Sequence, residues 1–165
     1  MDVILFLIFA IIAVVCGVNV VVQTHPITSA ISLIGVMGSL AVLYLLLGAE
    51  FLAMAQIIVY AGAIMVLFVF VIMLLNAGAE SKRGRSLVAQ LLGFPLLIAL
   101  LALASYFIQR YYPGNATVQF GAFKGGTAQN IGRALFTQYL LPFEVTSILI
   151  LIAIVGAVVL ARKEL

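Results

Sequence analysis

Apolar residues run almost unbroken through five stretches of this chain, residues 3–22, 27–47, 51–75, 87–108 and 142–161. Polar residues gather in the joints between them. Runs of about 20 apolar residues match the roughly 30 Å hydrocarbon core of a bilayer. No water reaches that core, so each segment must satisfy its own backbone hydrogen bonds. Long apolar runs without two-residue alternation meet that demand as helices, not as a barrel. The pattern predicts an all-α, polytopic membrane protein of five transmembrane helices, forming a single membrane domain over residues 1–165.

The joints carry their own signals. The first span ends at Gln23-Thr24-His25-Pro26, where the proline pushes the preceding residue out of helical geometry. Gly48-Ala49-Glu50 reads as a tight reversal into the third span. Residues 76–86 read as a polar, Gly-containing loop, and Pro95 predicts a kink in the fourth span. The long loop over residues 110–141 opens on a Pro113-Gly114-Asn115 turn signal. It closes on residues 130–140, where Asn130 is a cap candidate ahead of apolar Ile131, Leu135 and Tyr139, so a short interfacial helix is expected.

Basic residues orient the spans. Lys82, Arg83, Arg85, Arg162 and Lys163 fall on one side in short segments, whereas Arg110, Lys124 and Arg133 are spread over the long loop on the other. The positive-inside rule then places the N-terminus outside and the C-terminus in the cytoplasm. The start of the chain has neither a basic region nor a small-residue cleavage pattern and reads as a mature first helix.

Composition agrees and narrows the chemistry. The chain is 66% hydrophobic and 8% charged, with a mean hydropathy of +1.35, beyond what a soluble domain of this length hides in one core. One Cys (Cys16) and one His (His25) supply no ligand pair for an iron–sulfur cluster, a bis-His haem or a zinc site. No cofactor is expected in this chain. A scattered net charge of +3 does not make a nucleic-acid surface. No inverted repeat is visible, and five spans do not divide into halves, which argues against a self-sufficient carrier or channel.

Few polar residues remain to be explained. Tyr44, Tyr106, Tyr111, Tyr112 and Tyr139 fall at or beyond the outer boundary and make an aromatic belt. Tyr60 is placed near mid-membrane, about 15 Å along the axis from Glu50. Its hydroxyl needs a protein partner or a water, and two readings stand: an interhelical hydrogen bond, or a member of a buried water chain. Gln56, one α-helical turn earlier, is expected on the same face. It can clasp a neighbour or orient a water, but an amide cannot ionise as a relay. Glu50, Gln56 and Tyr60 are therefore the candidates for a water or proton path. Ala61-Gly62-Ala63 follows, where glycine permits either close packing or a helix irregularity. Glu144, expected in the first turn of the last span, reads as a capping carboxylate. Thr28, Ser32, Gly35 and Ser39 align small side chains on one face of the second span, predicting burial against protein. Cys16 reads as a packing residue and His25 as a turn residue.

The run Gln56-Ile57-Ile58-Val59-Tyr60-Ala61-Gly62-Ala63-Ile64-Met65-Val66-Leu67-Phe68-Val69-Phe70-Val71-Ile72-Met73-Leu74 closely resembles the third helix of the J-subunit family of bacterial NADH:quinone oxidoreductase. That family of respiratory complex I is the counterpart of mitochondrial NADH dehydrogenase subunit 6. Ala134-Leu135-Phe136-Thr137-Gln138-Tyr139-Leu140-Leu141-Pro142-Phe143-Glu144 is similar to it as well. The resemblance implies a non-catalytic, multi-pass subunit of the bacterial inner membrane, beside the quinone-facing H subunit, the A and K subunits and the antiporter-like subunits. NADH, FMN, iron–sulfur clusters and quinone would then be bound elsewhere in the complex.

The resemblance also implies a π-bulge near Tyr60, whose conversion to α-helix couples quinone reduction to proton translocation. Tyr60, Gly62, Ala63 and Val66 would be the gating positions, with residues from Met65 onward changing faces. Some members of the family carry a carboxylate where this chain has Gln56. Two alternatives stay open: a structural or assembly subunit without a gating role, and the equivalent subunit of a ferredoxin-linked relative.

Overall fold

The computed structural model describes residues 2–75, 87–111, 120–121 and 123–162, with the backbone alone for residues 87–92 and 94. In chain order these form α1 (Asp2–Val22), α2 (Pro26–Leu46), α3 (Glu50–Ala55), a π-helix (Gln56–Ile64), α4 (Met65–Leu74), α5 (Leu87–Tyr111), α6 (Ala128–Thr137) and α7 (Leu140–Ala161), with no strand among the described residues. α3, the π-helix and α4 follow without a break and make up the third apolar run. Four stretches, Asp2–Val22, Pro26–Leu46, Glu50–Leu74 and Leu140–Ala161, are long and apolar enough to cross a membrane. α5 adds a shorter apolar stretch, Pro95–Tyr111. The 76–86 loop with Lys82, Arg83 and Arg85, the turn at Pro113-Gly114-Asn115, Tyr112 and Lys163 lie outside the described residues.

Local chemistry explains the ends. Pro26 starts α2 instead of preceding it, because the first helical position needs no N–H and suits its fixed φ. α2 stops at Gly48, whose φ of +83° only glycine adopts without strain. There Gly48 N donates to Leu45 O at 3.0 Å and Ala49 N to Tyr44 O at 2.9 Å, the paired bonds of a Schellman ending. The interfacial helix is capped three residues earlier than expected. Thr127 is its cap, accepting from Asn130 N at 3.4 Å, while the Asn130 side chain donates to Lys124 O at 2.8 Å. α7 likewise begins at Leu140, since Pro142 in its first turn displaces no intrahelical bond. Glu144 therefore sits past the first turn, exposed, and not in the capping position its spacing suggested. α5 continues through Pro95 to Tyr111.

α2 is the centre of the packing. It contacts α1 along one side and α3, the π-helix and α4 along another. Its buried residues are all small: Ala30, Ser32, Ser39 and Ala41. Ser32 and Ser39 fall on the expected small-residue face, Gly35 is half-buried and Thr28 exposed. A methyl group built on Gly35 would lie 3.1 Å from Cys16 Sγ, which locates the close approach of α1 to α2. Small residues permit that approach, and in hydrocarbon close packing and hydrogen bonds hold helices together.

The remaining helices stand apart. Among the described residues α7 contacts only α6, through a Phe136–Phe143 edge contact at 5.3 Å, and α5 packs on no other element. The accessible surface is 13821 Å², against about 7,900 Å² for a compact soluble monomer of this mass. Most of the apolar surface is therefore left for lipid and neighbouring chains.

Candidate coupling site in the third span

The least exposed residues of the third span are Ala53, Gln56, Ala61, Met65, Val69 and Ile72, with Ala55 beside them. Their spacing is three, five, four, four and three. Regular α-helix returns to one face in steps of three or four, so the five-residue step from Gln56 to Ala61 marks one extra residue in the turn. The backbone agrees: the span is π-helical from Gln56 to Ile64, and Met65 N closes its last turn on Tyr60 O.

This register separates two residues that α-helical spacing would have joined. Gln56 is only 6% exposed, whereas Tyr60 is 48% exposed on the outer side of the three-helix unit. The Gln56 side chain donates through Nε2 to Met37 Sδ on α2 at 3.0 Å. Gly62 and Ala63 are exposed, as is Val66 just beyond the π-helix. Among the described residues, no other helix packs on Gly62 closely enough to meet an added Cβ. What such an atom would meet is Ile57 O, at 3.1 Å, within the same helix. Glu50 is exposed in the first turn of α3. The structure thus brings Gln56 together with Met37 and leaves Glu50, Tyr60, Gly62, Ala63 and Val66 exposed.

Asn19 is a polar residue that the sequence reading passed over. Its Nδ2 donates to Ser32 Oγ at 2.7 Å, Ser32 Oγ donates to Thr28 O at 3.0 Å, and Gln23 Nε2 donates to Asn19 Oδ1 at 3.1 Å. A side-chain ladder therefore joins α1 to the start of α2. Its signal was present, since an amide within an apolar span demands a partner. Met37 carried no such signal. A second feature is a half-open, largely apolar cavity of about 250 Å³ between α1, α2 and α4, whose lining includes Val20, Ser29, Leu33, Phe68 and Ile72.

The chain 6 family model of NADH-ubiquinone/plastoquinone oxidoreductase matches residues 16–160. The chain belongs to that family. It is 39% identical to the NAD(P)H-quinone oxidoreductase chain 6 of Synechocystis sp. over 164 residues, 97% of this chain and 80% of that protein. The corresponding chain of Leptolyngbya boryana is 38% identical over 167 residues, 96% of this chain and 79% of the other. Subunit 6 of the organellar chromatophore of Paulinella chromatophora is 40% identical over 152 residues, covering 90% and 72%. The family and the apolar helices together make this chain 6 protein a multi-pass membrane protein. Its π-helix lies within the matched residues.

Proposed function

We propose that this chain is a membrane-arm subunit of a proton-translocating NAD(P)H:quinone oxidoreductase, and that its third span couples quinone reduction to proton movement by changing register. Family membership supports the first part. The five-residue step between Gln56 and Ala61 carries the second. A π-turn holds one residue more than an α-turn, so its loss rotates the following segment by about 100° relative to the preceding one. Tyr60, Ile64, Phe68 and Val71 would then take the face now held by Ala61, Met65, Val69 and Ile72. Bulky groups would move into or out of a path between partner subunits, wetting or drying it.

The chain's own residues fit a conformational and not a chemical role. The third span carries no ionisable side chain between Glu50 and its end except the Tyr60 phenol. Titrating groups would belong to partner subunits, as would the nucleotide, FMN, iron–sulfur clusters and quinone. In this reading five spans cross a bacterial inner membrane, the N-terminus outside and the C-terminus in the cytoplasm, and α5 and α7, which touch none of the other spans among the described residues, face the H, A, K and antiporter-like subunits and lipid.

Gly62→Val in the assembled complex tests the gate, because its branched side chain crowds Ile57 O in the π-register. The expected outcome is a lower proton yield per quinone reduced; normal quinone reduction with normal pumping would sink the gate. Tyr60→Phe separates gating from a purely structural role. Assembly survives under both, and pumping falls only if the hydroxyl serves the path.

A further inference from the structure

Residues 120–121 and 123–127 fold back on the turn between α2 and α3, and do so through main-chain atoms. Leu46 O, left without a partner at the end of α2, accepts from Gly121 N at 3.0 Å. Phe51 N, free at the start of α3, donates to Gly126 O at 2.9 Å. One short stretch therefore caps two helix ends at once. Glycines make the contact close enough. A Cβ on Gly126 would collide with Gly48 O and lie 2.7 Å from Ala49 Cα, and one on Gly48 would lie 2.9 Å from Phe123 O. Gly121 adopts a φ of +72° to turn the chain there. Phe120 adds a ring contact to Phe6 of α1 at 5.7 Å.

The other end of the third span is held differently. Among the described residues no main-chain bond from another element reaches α4, and the 250 Å³ cavity lies against Phe68 and Ile72. One end is fixed by backbone in contact with backbone. The other has empty volume beside it.

We propose that Gly48, Gly121 and Gly126 form a backbone clasp that holds the outer end of the third span, so that a change of register in the π-helix is delivered to Met65–Leu74 alone. The inference rests on the register reading above and adds what holds the half before the π-helix still. A helix that gains or loses a π-turn must rotate one half against the other, and the better-anchored half stays still. With α3 clasped, the rotation falls on α4, whose cavity accepts the exchanged side chains. Gly126 is a positioning residue here, acting through α3 and not on the proton path.

The test compares Gly126→Ala with Gly125→Ala in the assembled complex. The nearest atoms to a Gly125 Cβ are those of the Phe123 ring, at 2.9 Å, and that exposed side chain can swing away. Gly126→Ala should lower the protons translocated per quinone reduced at least twofold, since rotation is then shared with the outer half, and Gly125→Ala should match the parent. An unchanged proton yield in Gly126→Ala overturns the clasp; if Gly62→Val still uncouples, the register reading survives without it. Should the Gly126→Ala complex fail to accumulate, electron-microscopy maps of the parent complex, inhibited at the quinone site and in turnover, decide the matter. Rotation confined to residues 65–74 supports the clasp, and equal or larger rotation of residues 51–55 overturns it. No rotation in either half overturns the register reading and the clasp together.

Discussion

Gln56 and Ala61 share the less exposed face of the third span although five residues separate them, and Tyr60, one α-turn from Gln56, is turned away. The register of this helix is therefore set against α2 by a buried amide and a small residue. Met37 sulfur is a weak acceptor, so the amide contributes more by filling space than by its hydrogen bond.

Gln56→Met should accordingly be mild, costing under about 1.5 kcal/mol as a swap of similar volume. Gln56→Glu should be worse, because the same buried position would have to hold an ionisable group with no cation beside it among the described residues. The midpoint temperature at which the purified complex dissociates, with the amount of subunit retained in it, ranks the two. Equal losses would mean that the amide hydrogen bond carries this contact.

The Asn19–Ser32 bond at 2.7 Å is the shortest side-chain link between α1 and α2. Interhelical hydrogen bonds in membranes average about 0.6 kcal/mol and reach about 1.7 kcal/mol. A double-mutant cycle of Asn19→Ala and Ser32→Ala on complex stability should return a coupling within that range. Full additivity would show that water or a neighbouring chain replaces the bond without loss.

The helical character of the apolar runs, four of them long enough to cross a membrane, and part of the small-residue face of α2 were legible because bilayer thickness and backbone hydrogen bonding leave few choices, and Gly48 announced its turn. Gln56 was expected beside Tyr60 because four-residue spacing assumes α-helix. No single residue in Gln56–Ile64 forces the extra residue into the turn; the choice depends on what α2 presents. The cap of α6 was misplaced by three residues for a related reason. Thr127 and Asn130 are both good caps, and the competition was decided by the Asn130 bond to Lys124 O, a contact within the loop. The clasp at Gly126 was invisible for the plainest reason, since it joins main-chain atoms of residues far apart in sequence.

Cys16 of α1 and Gly35 of α2 lie against each other. An added methyl at Gly35 meets Cys16 Sγ at 3.1 Å, so Gly35→Ala should lower subunit accumulation modestly and Gly35→Leu severely. Cys16→Ala removes the sulfur and should restore much of the Gly35→Ala loss, a rescue measured as subunit retained in the purified complex. Failure of the rescue would place the obstruction in the helix backbones.

Met65 is 5% exposed and its neighbour Ile64 is 50% exposed, and the two exchange faces if the π-turn is lost. Bulk at one of them should therefore favour one register and bulk at the other the opposite one. Met65→Trp overfills the contact with α2 in the present register, at a penalty of about 1–3 kcal/mol, and is relieved when position 65 rotates outward. Ile64→Trp is tolerated now and penalised after rotation. The expected result is two complexes displaced in opposite directions, one toward α-helical and one toward π-helical density in the third span, with proton yield per quinone reduced lowered in both because each is held at one end of the cycle. Displacement of both toward the same register would mean that the span does not rotate as a unit beyond Ile64.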